Sequence, residues 1–372
     1  MRILRIGYRL PPEPGGKERH IERLTREQTV NGHQVIIAHR RGEAPRGVER
    51  LPLTPCFAGR LASRKSDVLA FAAECARALR RAQRIDLVHL HGDHREALVL
   101  GPAVRRLGVP FVVTVHGALT ARHRRAMPWA FRHVDGFIAL GARPRDDLLA
   151  AGIPARRIRT MSSGLDIAHL DRFRGRHPVE PGLVVSVGSL AKVKNHSLLI
   201  EAFHALRAVL PDARLVIAGD GAERARLHQL AGTGSGIEFT GPISTDQTYS
   251  LVSRAQAFVL ASRRLPTLGE GIPTAALEAL ALGTPVIVSS DASLEPVIAG
   301  SGAYLTFPSG SAPELVARLR SVLQDEGLRL RLSGAGRQAV TALDWPLVAA
   351  RVEEWYGELM TGRSPRPLEV AL

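Results

Sequence analysis

Two glutamates eight positions apart, Glu270 and Glu278, are the residues of this sequence best suited to chemistry. They lie in GEGIPTAALEALALGTPVI, residues 269–287, where glycine, proline and a short apolar run separate them. Pro273 is suited to the first turn of a helix, so Glu270 is predicted to lie in a loop beside the start of that helix. Glu278 is then predicted about one and a half turns inside the helix.

The helix predicted after Pro273 is apolar on nearly all sides, which indicates that it is buried. A buried carboxylate such as Glu278 needs polar partners. Amides at a helix start attract an anion, and carboxylates accept hydrogen bonds from hydroxyl groups. The pattern therefore favours a site for an anionic ligand that carries hydroxyls. The alternative is structural, with Glu270 as a capping carboxylate and Glu278 as a surface charge.

Lys192 and Lys194 supply the positive charge that such a ligand needs. They are half of the four lysines in a chain that otherwise uses arginine, and they follow the strand predicted at Leu183–Gly188. A compact ammonium on a loop before a helix suits the neutralisation of phosphate groups.

A glycine pair and a histidine indicate further contacts in the first half of the chain. Gly15 and Gly16 precede a helix predicted to begin near Lys17, and such glycines either let amides approach an anion or form a plain turn. His116 follows a predicted strand, from whose end it could donate a hydrogen bond to a substrate or serve only the structure. Neither GxGxxG nor GxxxxGK[ST] occurs, which disfavours a nicotinamide or P-loop site.

The stretch HLHGDH raises the question of a metal site. It contains His89, His91 and His94 with Asp93 alongside, and histidine is a common metal ligand. However, His89 and His91 end a predicted strand, and the HExxH motif is absent from the sequence. We therefore expect no metal.

Short apolar runs alternate with amphipathic stretches such as Asn195–Val209 along the whole chain. Strands separated by helices form parallel sheets, so the alternation predicts an α/β protein of two doubly wound domains that face a central cleft. Ligands bind at the carboxyl ends of such strands, where the residues above are placed. Segment 172–182 is predicted as a linker. The predicted strands are Arg2–Gly7, Gln34–Ala38, Asp86–Leu90, Phe111–Val115, Gly136–Leu140, Leu183–Gly188, Arg214–Gly219, Gly236–Thr240, Ala257–Ala261, Thr284–Ser289 and Ala303–Phe307.

The net charge of +15 is confined to the first half of the chain. Residues 1–180 hold 33 Lys and Arg against 17 Asp and Glu, which gives +16, whereas residues 181–372 hold 17 against 18, which gives −1. Such a field attracts an anionic partner, and an arginine bias of the coding sequence explains the same count.

The cysteines and the apolar runs bear on where the protein works. Cys56 and Cys75 form no metal or redox motif, and no apolar run reaches the ~18 residues of a membrane-spanning helix. We expect a cytoplasmic protein, with peripheral contact of its basic half to the inner face of the cell membrane as one option.

Taken together, these motifs make the chain resemble the retaining glycosyltransferases of family 4, which have the GT-B fold of two Rossmann-like domains. The most specific match is the E-x7-E motif from Glu270 to Glu278, followed by ALALGTPVI. Supporting matches in family order are PPEPGGKERHIERL, NGHQVII, HLHG, TVHG, SSGLD, VGSLAKVKN, LVIAGDGAERARL and IEFTGPIS.

The resemblance implies roles for the matching residues. Lys194 is implied to bind the donor diphosphate and Glu278 the nucleotide ribose. Glu270 and His116 are implied to contact the transferred sugar, so His116, Lys194 and Glu270 are the implied catalytic residues. The implied donor-binding set is Gly15, Gly16, Ser189, Lys192, Lys194, the backbone of Ile243, Glu270, Gly271, Ile272, Pro273, Thr274 and Glu278.

The sequence also departs from the family pattern. Ser189 stands where the family usually has an arginine, and Lys192 is expected to substitute for it. MSSGLD at 161–166 replaces the usual PNGVD, and the family's glycines are missing around Asp291 and Glu295. These changes leave the identity of the donor open.

The implied activity is retaining transfer of a sugar from a nucleotide diphosphate sugar, a UDP-hexose or UDP-N-acetylhexosamine, to an acceptor hydroxyl. The leaving diphosphate is implied to help deprotonate the acceptor. Because lysines and amides neutralise the leaving group, and no DxD motif occurs, no metal or other cofactor is expected. The acceptor is an anionic lipid-linked molecule, a polysaccharide or a small metabolite. Residues 1–173 are expected to bind it and residues 181–344 the donor, with the helix at 345–372 packing back on the first domain.

Two alternatives have different requirements. A sugar-nucleotide epimerase of the same fold needs acid and base carboxylates in the first domain, where no convincing pair occurs. A non-catalytic nucleic-acid-binding protein needs basic residues interleaved with exposed aromatics, and only residues 121–133 show that pattern. Aromatic residues make up only 5% of the chain, so nucleic acid is disfavoured as a partner.

Overall fold

The computed structural model describes residues 1–13, 15–82, 84–265 and 269–362. The chain forms two compact units, the first comprising Met1–Gly164 with the chain from Trp345 onward, and the second Leu165–Asp344. Each unit contains one main hydrophobic cluster of its own.

Both units are built on a parallel sheet. The strands are β1 (Arg2–Gly7), β2 (Gln34–Ala38), β3 (Glu49–Arg50), β4 (Leu87–His91), β5 (Phe111–Val115), β6 (Gly136–Leu140), β7 (Ile158–Met161), β8 (Leu183–Val187), β9 (Arg214–Ala218), β10 (Ile237–Gly241), β11 (Ala257–Leu260), β12 (Val286–Ser289) and β13 (Leu305–Phe307). Within the described residues, the first sheet has the order β3-β2-β1-β4-β5-β6-β7 and the second β10-β9-β8-β11-β12-β13.

Helices connect most of these strands and cover both sheets, as a doubly wound arrangement requires. They are α1 (Gly16–Val30), α2 (Phe57–Ser63), α3 (Asp67–Leu79), α4 (His94–Leu107), α5 (Met127–Ala130), α6 (Ala142–Ala150), α7 (Ile167–Asp171), α8 (His196–Arg207), α9 (Arg224–Ala231), α10 (Thr245–Ser253), α11 (Thr274–Leu282), α12 (Ala312–Gln324), α13 (Glu326–Val340) and α14 (Trp345–Thr361). Four 3-10 turns also occur in the described ranges.

Strand composition explains why the sheets are parallel. β5 reads FVVTV and all of its residues are buried, as are those of β6 and β12. Strands covered by helices on both faces are apolar throughout instead of alternating with polar residues. The predicted strands agree with the observed ones to within two residues at either end.

Two edge strands escaped the sequence analysis. β3 is only two exposed charged residues long, and β7 reads IRTM, with a buried arginine in its centre. An arginine is buried there because Arg159 Nη2 donates a 2.8 Å hydrogen bond to Glu358 and its guanidinium lies 4.3 Å from the Trp355 ring. Such contacts come from α14 and leave no signal in the local sequence.

The boundary between the units lies earlier than the predicted 173–181. Residues 165–173 belong to the second unit, because Leu165 donates a 2.7 Å backbone bond to Leu343 and Ile167 donates one of 3.3 Å to the Asp344 carboxylate. Helix α14 lies in the first unit, where Trp355 and Tyr356 are fully buried. The part of the predicted helix 345–372 that follows residue 362 lies outside the described residues.

Candidate functional site

Lys194 and Glu270 form an ion pair in the second unit, with 2.5 Å between Nζ and Oε1. Both side chains are largely shielded, at 17% and 14% exposure. Glu270 also accepts a 2.9 Å hydrogen bond from the Ser262 hydroxyl, which follows β11. Gly188 lies under the stem of Lys194, since a Cβ there would approach its Cε to 3.3 Å. The two residues are thus brought together by loops that follow β8 and β11.

Helix α11 carries Glu278 as the sequence predicts. The helix begins at Thr274, after Pro273, and ends where Gly283 adopts the left-handed conformation with φ 81°. Most of α11 is buried, while Glu278 itself is half-buried and accepts a 3.0 Å hydrogen bond from the Tyr249 hydroxyl. Tyr249 lies on α10 and is 7% exposed. The carboxylate is therefore oriented by a buried phenol.

The first turn of α11 contains no acidic residue. The first backbone bonds run from Ala276 and Leu277 to the Pro273 carbonyl, so the preceding amides have no helical acceptor. Ile272 and Pro273 are buried, and Gly271 and Thr274 are half-buried. This end of the helix can accommodate an anion next to the ion pair.

The loop after β11 carries an arginine, Arg263, that was not singled out from the sequence, and it contacts the loop after β8. Arg263 donates from its backbone to the Val193 carbonyl at 2.8 Å and from Nε to the Lys192 carbonyl at 3.2 Å. Lys192, Ser189 and Arg263 are exposed, so these two neighbouring loops present two cations and the serine. Ile243 is half-buried and follows β10.

The glycine pair of the first unit already faces a carboxylate. Gly15 lies directly before α1 with φ 151°, and a Cβ there would collide with Oε2 of Glu18. A Cβ at Gly16 would meet no atom within 4 Å. An anion at this helix start would have to displace or neutralise Glu18.

The polar residues of HLHGDH make separate contacts and do not form one site. Asp93 caps α4 by accepting a 2.8 Å bond from the Arg95 amide. His94 Nε2 lies 3.1 Å from His123 Nδ1. His89 is fully buried between the Tyr356 hydroxyl, 2.5 Å from Nδ1, and the Thr114 hydroxyl, 2.7 Å from Nε2.

His91 instead joins His116 and His20 in a group that we call the histidine cluster. His91 Nδ1 lies 3.0 Å from His116 Nε2, and His20 Nδ1 lies 2.9 Å from the Ser163 hydroxyl. Burial is the largest cause lowering the pKa of all three rings, that of His20 to about 3, so they are neutral at pH 7. One ring nitrogen from each histidine lies within 4.8 Å of the other two, a donor set that could accept a transition-metal ion.

Two family models match the chain in succession. The model described as Glycosyltransferase Family 4 covers residues 14–169, and the one described as Glycosyl transferases group 1 covers residues 169–339. The chain belongs to the family 4 glycosyltransferases. It is therefore an enzyme, and the non-catalytic alternative is wrong.

Curated relatives of this glycosyltransferase span nearly its whole length. Glycogen synthase of Mycobacterium tuberculosis is 28% identical over 99% of this chain and 97% of its own. Phosphatidyl-myo-inositol mannosyltransferase of Mycobacterium leprae is 24% identical over 97% and 98%. A GDP-mannose-dependent phosphatidylinositol dimannoside mannosyltransferase of M. tuberculosis is 29% identical over 94% of each chain.

Solved structures confirm the GT-B fold of this glycosyltransferase. Anabaena HepE in complex with UDP has a TM-score of 0.76 at 18% identity and covers 96% of this chain and 100% of its own. Sucrose-phosphate synthase of Thermosynechococcus elongatus has a TM-score of 0.77 at 18% identity, with 97% and 99% coverage.

Proposed function

We propose that this glycosyltransferase moves a hexose or N-acetylhexosamine from a UDP-sugar to an acceptor hydroxyl with retention of anomeric configuration. The observation that carries the proposal is the Lys194–Glu270 ion pair beside the start of α11, together with Glu278 inside the same helix. A cation, helix amides that precede the first helical hydrogen bond and two carboxylates match the phosphates and hydroxyls of a nucleotide sugar.

Each group has a separate task in the proposed reaction. The Lys194 ammonium and the α11 amides stabilise the charge that develops on the leaving diphosphate. Glu270, held by Ser262 and Lys194, accepts hydrogen bonds from hydroxyls of the transferred sugar. Glu278, oriented by Tyr249, accepts from the ribose hydroxyls. The exposed Arg263 and Lys192 add positive charge in place of the arginine that Ser189 replaces.

The bond changes in this proposal need no protein nucleophile. The anomeric carbon–oxygen bond to the diphosphate breaks while the acceptor oxygen bonds to that carbon from the same face. The acceptor proton passes to an oxygen of the departing diphosphate. The charge of the leaving group is met by Lys194, Arg263 and the helix amides, so the proposed transfer uses no metal. His116 of the first unit is proposed to donate a hydrogen bond to the sugar.

Turnover without an acceptor tests this proposal directly, because water then slowly takes the acceptor's place. Proton NMR of UDP-glucose, UDP-N-acetylglucosamine and GDP-mannose with the enzyme in EDTA follows the anomer released first. Release of the same anomer from a UDP-sugar is the expected result. Release of the inverted anomer contradicts a retaining mechanism. Conversion of the intact donor to its epimer favours the epimerase alternative.

We further propose that the acceptor lies in, or is linked to, an anionic lipid surface. Phe57 and Leu61 occupy one side of α2, at 77% and 48% exposure, although both are large hydrophobic residues. The exposed Arg60, Arg64 and Lys65 surround them. Apolar side chains framed by cations suit an interface with anionic head groups. Two relatives are named as phosphatidylinositol-type mannosyltransferases, which favours such an acceptor.

Vesicle sedimentation tests the lipid proposal. None of the helices in the described ranges combines the length and hydrophobicity that a membrane crossing requires. Binding to phosphatidylglycerol vesicles, weakened by salt and by the double substitution Phe57→Ser and Leu61→Ser, is expected. Leu330→Ser in the second unit removes a comparably exposed apolar side chain, at 67%, and serves as the control. Equal binding to neutral and anionic vesicles contradicts the proposal.

A further inference from the structure

We propose that His91 is a positioning residue, which holds His116 in the tautomer that carries its proton on Nδ1 and thereby makes it a hydrogen-bond donor. The inference rests on the proposed role of His116 at the sugar. It assigns a task to a fully buried histidine that the transfer reaction does not itself use.

The sheet brings the two rings together. His91 is the last residue of β4, and His116 directly follows β5. These strands are parallel neighbours, with His91 opposite Thr114, so both side chains leave the same edge of the sheet. The Nδ1–Nε2 distance of 3.0 Å is that of a hydrogen bond. The bond occupies Nε2 of His116 and leaves Nδ1 as the ring atom available to a ligand.

The direction of this bond follows from the other nitrogen of His91. His91 Nε2 is buried and has no hydrogen-bond partner among the described residues. If His116 donated, the neutral His91 ring would carry its proton on Nε2 as an N–H buried without an acceptor. If His91 Nδ1–H donates instead, the buried Nε2 of His91 carries only a lone pair. Buried N–H groups without acceptors are rare in proteins, so His91 is the donor.

A buried cation favours the same direction. Arg5 is fully buried on β1, where it pairs with His89 of the neighbouring strand β4. His89 lies two positions before His91. After burial and the neighbouring histidines, the charge of Arg5 contributes to lowering the pKa of His91. A positive charge nearby stabilises a bare nitrogen lone pair more than an N–H pointing outward.

His20 fixes the plane of the His116 ring. Their centroids are 5.0 Å apart, and the planes are nearly perpendicular at 88°. His20 is itself held by the Ser163 hydroxyl and is 3% exposed. His116 is half-buried and is contacted by both His91 and His20, so the rotation of its ring is limited from two sides.

Nitrogen-15 NMR of the full chain with labelled histidine tests the inference without any turnover. Long-range proton–nitrogen correlations identify which ring nitrogen carries the proton, and EDTA is present. The expected result is a proton on Nδ1 of both His116 and His91. A proton on Nε2 of His116 overturns the proposal. So does a difference between this spectrum and one recorded without EDTA, because the cluster then holds a metal instead of this hydrogen bond.

Two substitutions separate positioning from a merely structural role. His91→Asn retains a side-chain N–H that can donate to His116, and it should keep both the tautomer and kcat. His91→Leu lacks the donor, so His116 should populate both tautomers and kcat should fall by about tenfold, with the Kd for UDP unchanged. Equal loss of kcat in both variants, with the tautomer unaltered, overturns the proposal.

The proposed function and this inference can fail separately. If no donor is turned over by the wild type, the transferase proposal fails while the NMR result still decides the tautomer of His116. Should His91→Leu not fold, the wild-type spectrum and His91→Asn still provide the decisive comparison.

Discussion

The ammonium of Lys194 and the carboxylate of Glu270 lie 2.5 Å apart, although 75 residues separate them in the chain. Both side chains are mostly shielded from water, which strengthens their interaction relative to a surface ion pair. The pair holds both charges in place before any ligand arrives. Preorganised charge of this kind stabilises a transition state without reorganisation during the reaction.

Removing the ammonium should abolish most of the activity. Lys194→Ala is expected to lower kcat about 10²- to 10³-fold, because the charge on the leaving diphosphate loses its nearest cation. Steady-state kinetics with the donor identified by NMR measures the change. Arg318→Ala breaks an exposed ion pair with Glu314 in the same unit, at 3.8 Å, and should leave kcat unchanged. A similar loss in both variants argues against a specific role for Lys194.

Loss of the phenol beside Glu278 should weaken nucleotide binding. Tyr249→Phe removes the 3.0 Å hydrogen bond that orients the carboxylate, and the Kd for UDP should rise by about three- to tenfold. Calorimetry on Tyr249→Phe, Glu278→Gln and the double variant gives the coupling between them. Fully additive effects would show that the phenol does not act through Glu278.

Arg263 should contribute to phosphate binding and not to base recognition. Arg263→Gln is expected to weaken UDP about tenfold and to reduce the salt dependence of its binding, while the Kd of uridine is unchanged. Arg264→Gln is the matched control, because Arg264 contacts Asp291 through its backbone amide. Equal weakening of UDP and uridine by Arg263→Gln contradicts a phosphate contact.

Acid should destabilise the second unit through His196. Burial, with the charge of Lys194 adding, lowers the pKa of His196 to about 4, whereas the unfolded chain titrates near ~6.5. Between these values the unfolded state binds more protons, so stability is lost as pH falls, by about 2 kcal/mol at pH 5.

Denaturant unfolding at about pH 7.5 and about pH 5 measures that loss. The His196 ring is neutral in the folded state at both pH values. His196→Gln should flatten the dependence of the free energy of unfolding on pH. His177→Gln, at an exposed histidine, should retain the slope of the wild type. Parallel slopes in all three proteins contradict the account.

Much of the fold could be predicted because it is encoded locally. The apolar runs at β1, β5 and β11 are strands in the structure, and Pro273 and Gly283 bound α11 in the way their backbone preferences require. The placement of Glu278 inside that helix followed from the same local signals. Strand β7 and the boundary at Leu165 instead depend on contacts with residues near 343 and 358.

The partners of the candidate site residues could not be predicted, because they come from distant parts of the chain. Tyr249 reaches Glu278 from another helix, and His20 reaches the histidine cluster from α1. The neighbourhood of Tyr249 contains no motif that distinguishes it from an ordinary helical residue, whereas His20 lies within the matching stretch PPEPGGKERHIERL. The position of His20 four residues after Gly16, on the first helix after β1, was the one available signal.

Calorimetric binding of UDP, GDP and ADP to the wild type and to Glu278→Ala, all in EDTA, tests the central claim most directly. The account predicts that UDP binds, that GDP and ADP bind at least about tenfold more weakly, and that Glu278→Ala loses the UDP heat. Absence of binding by every nucleotide to the wild type, or UDP binding that Glu278→Ala leaves intact, would contradict it.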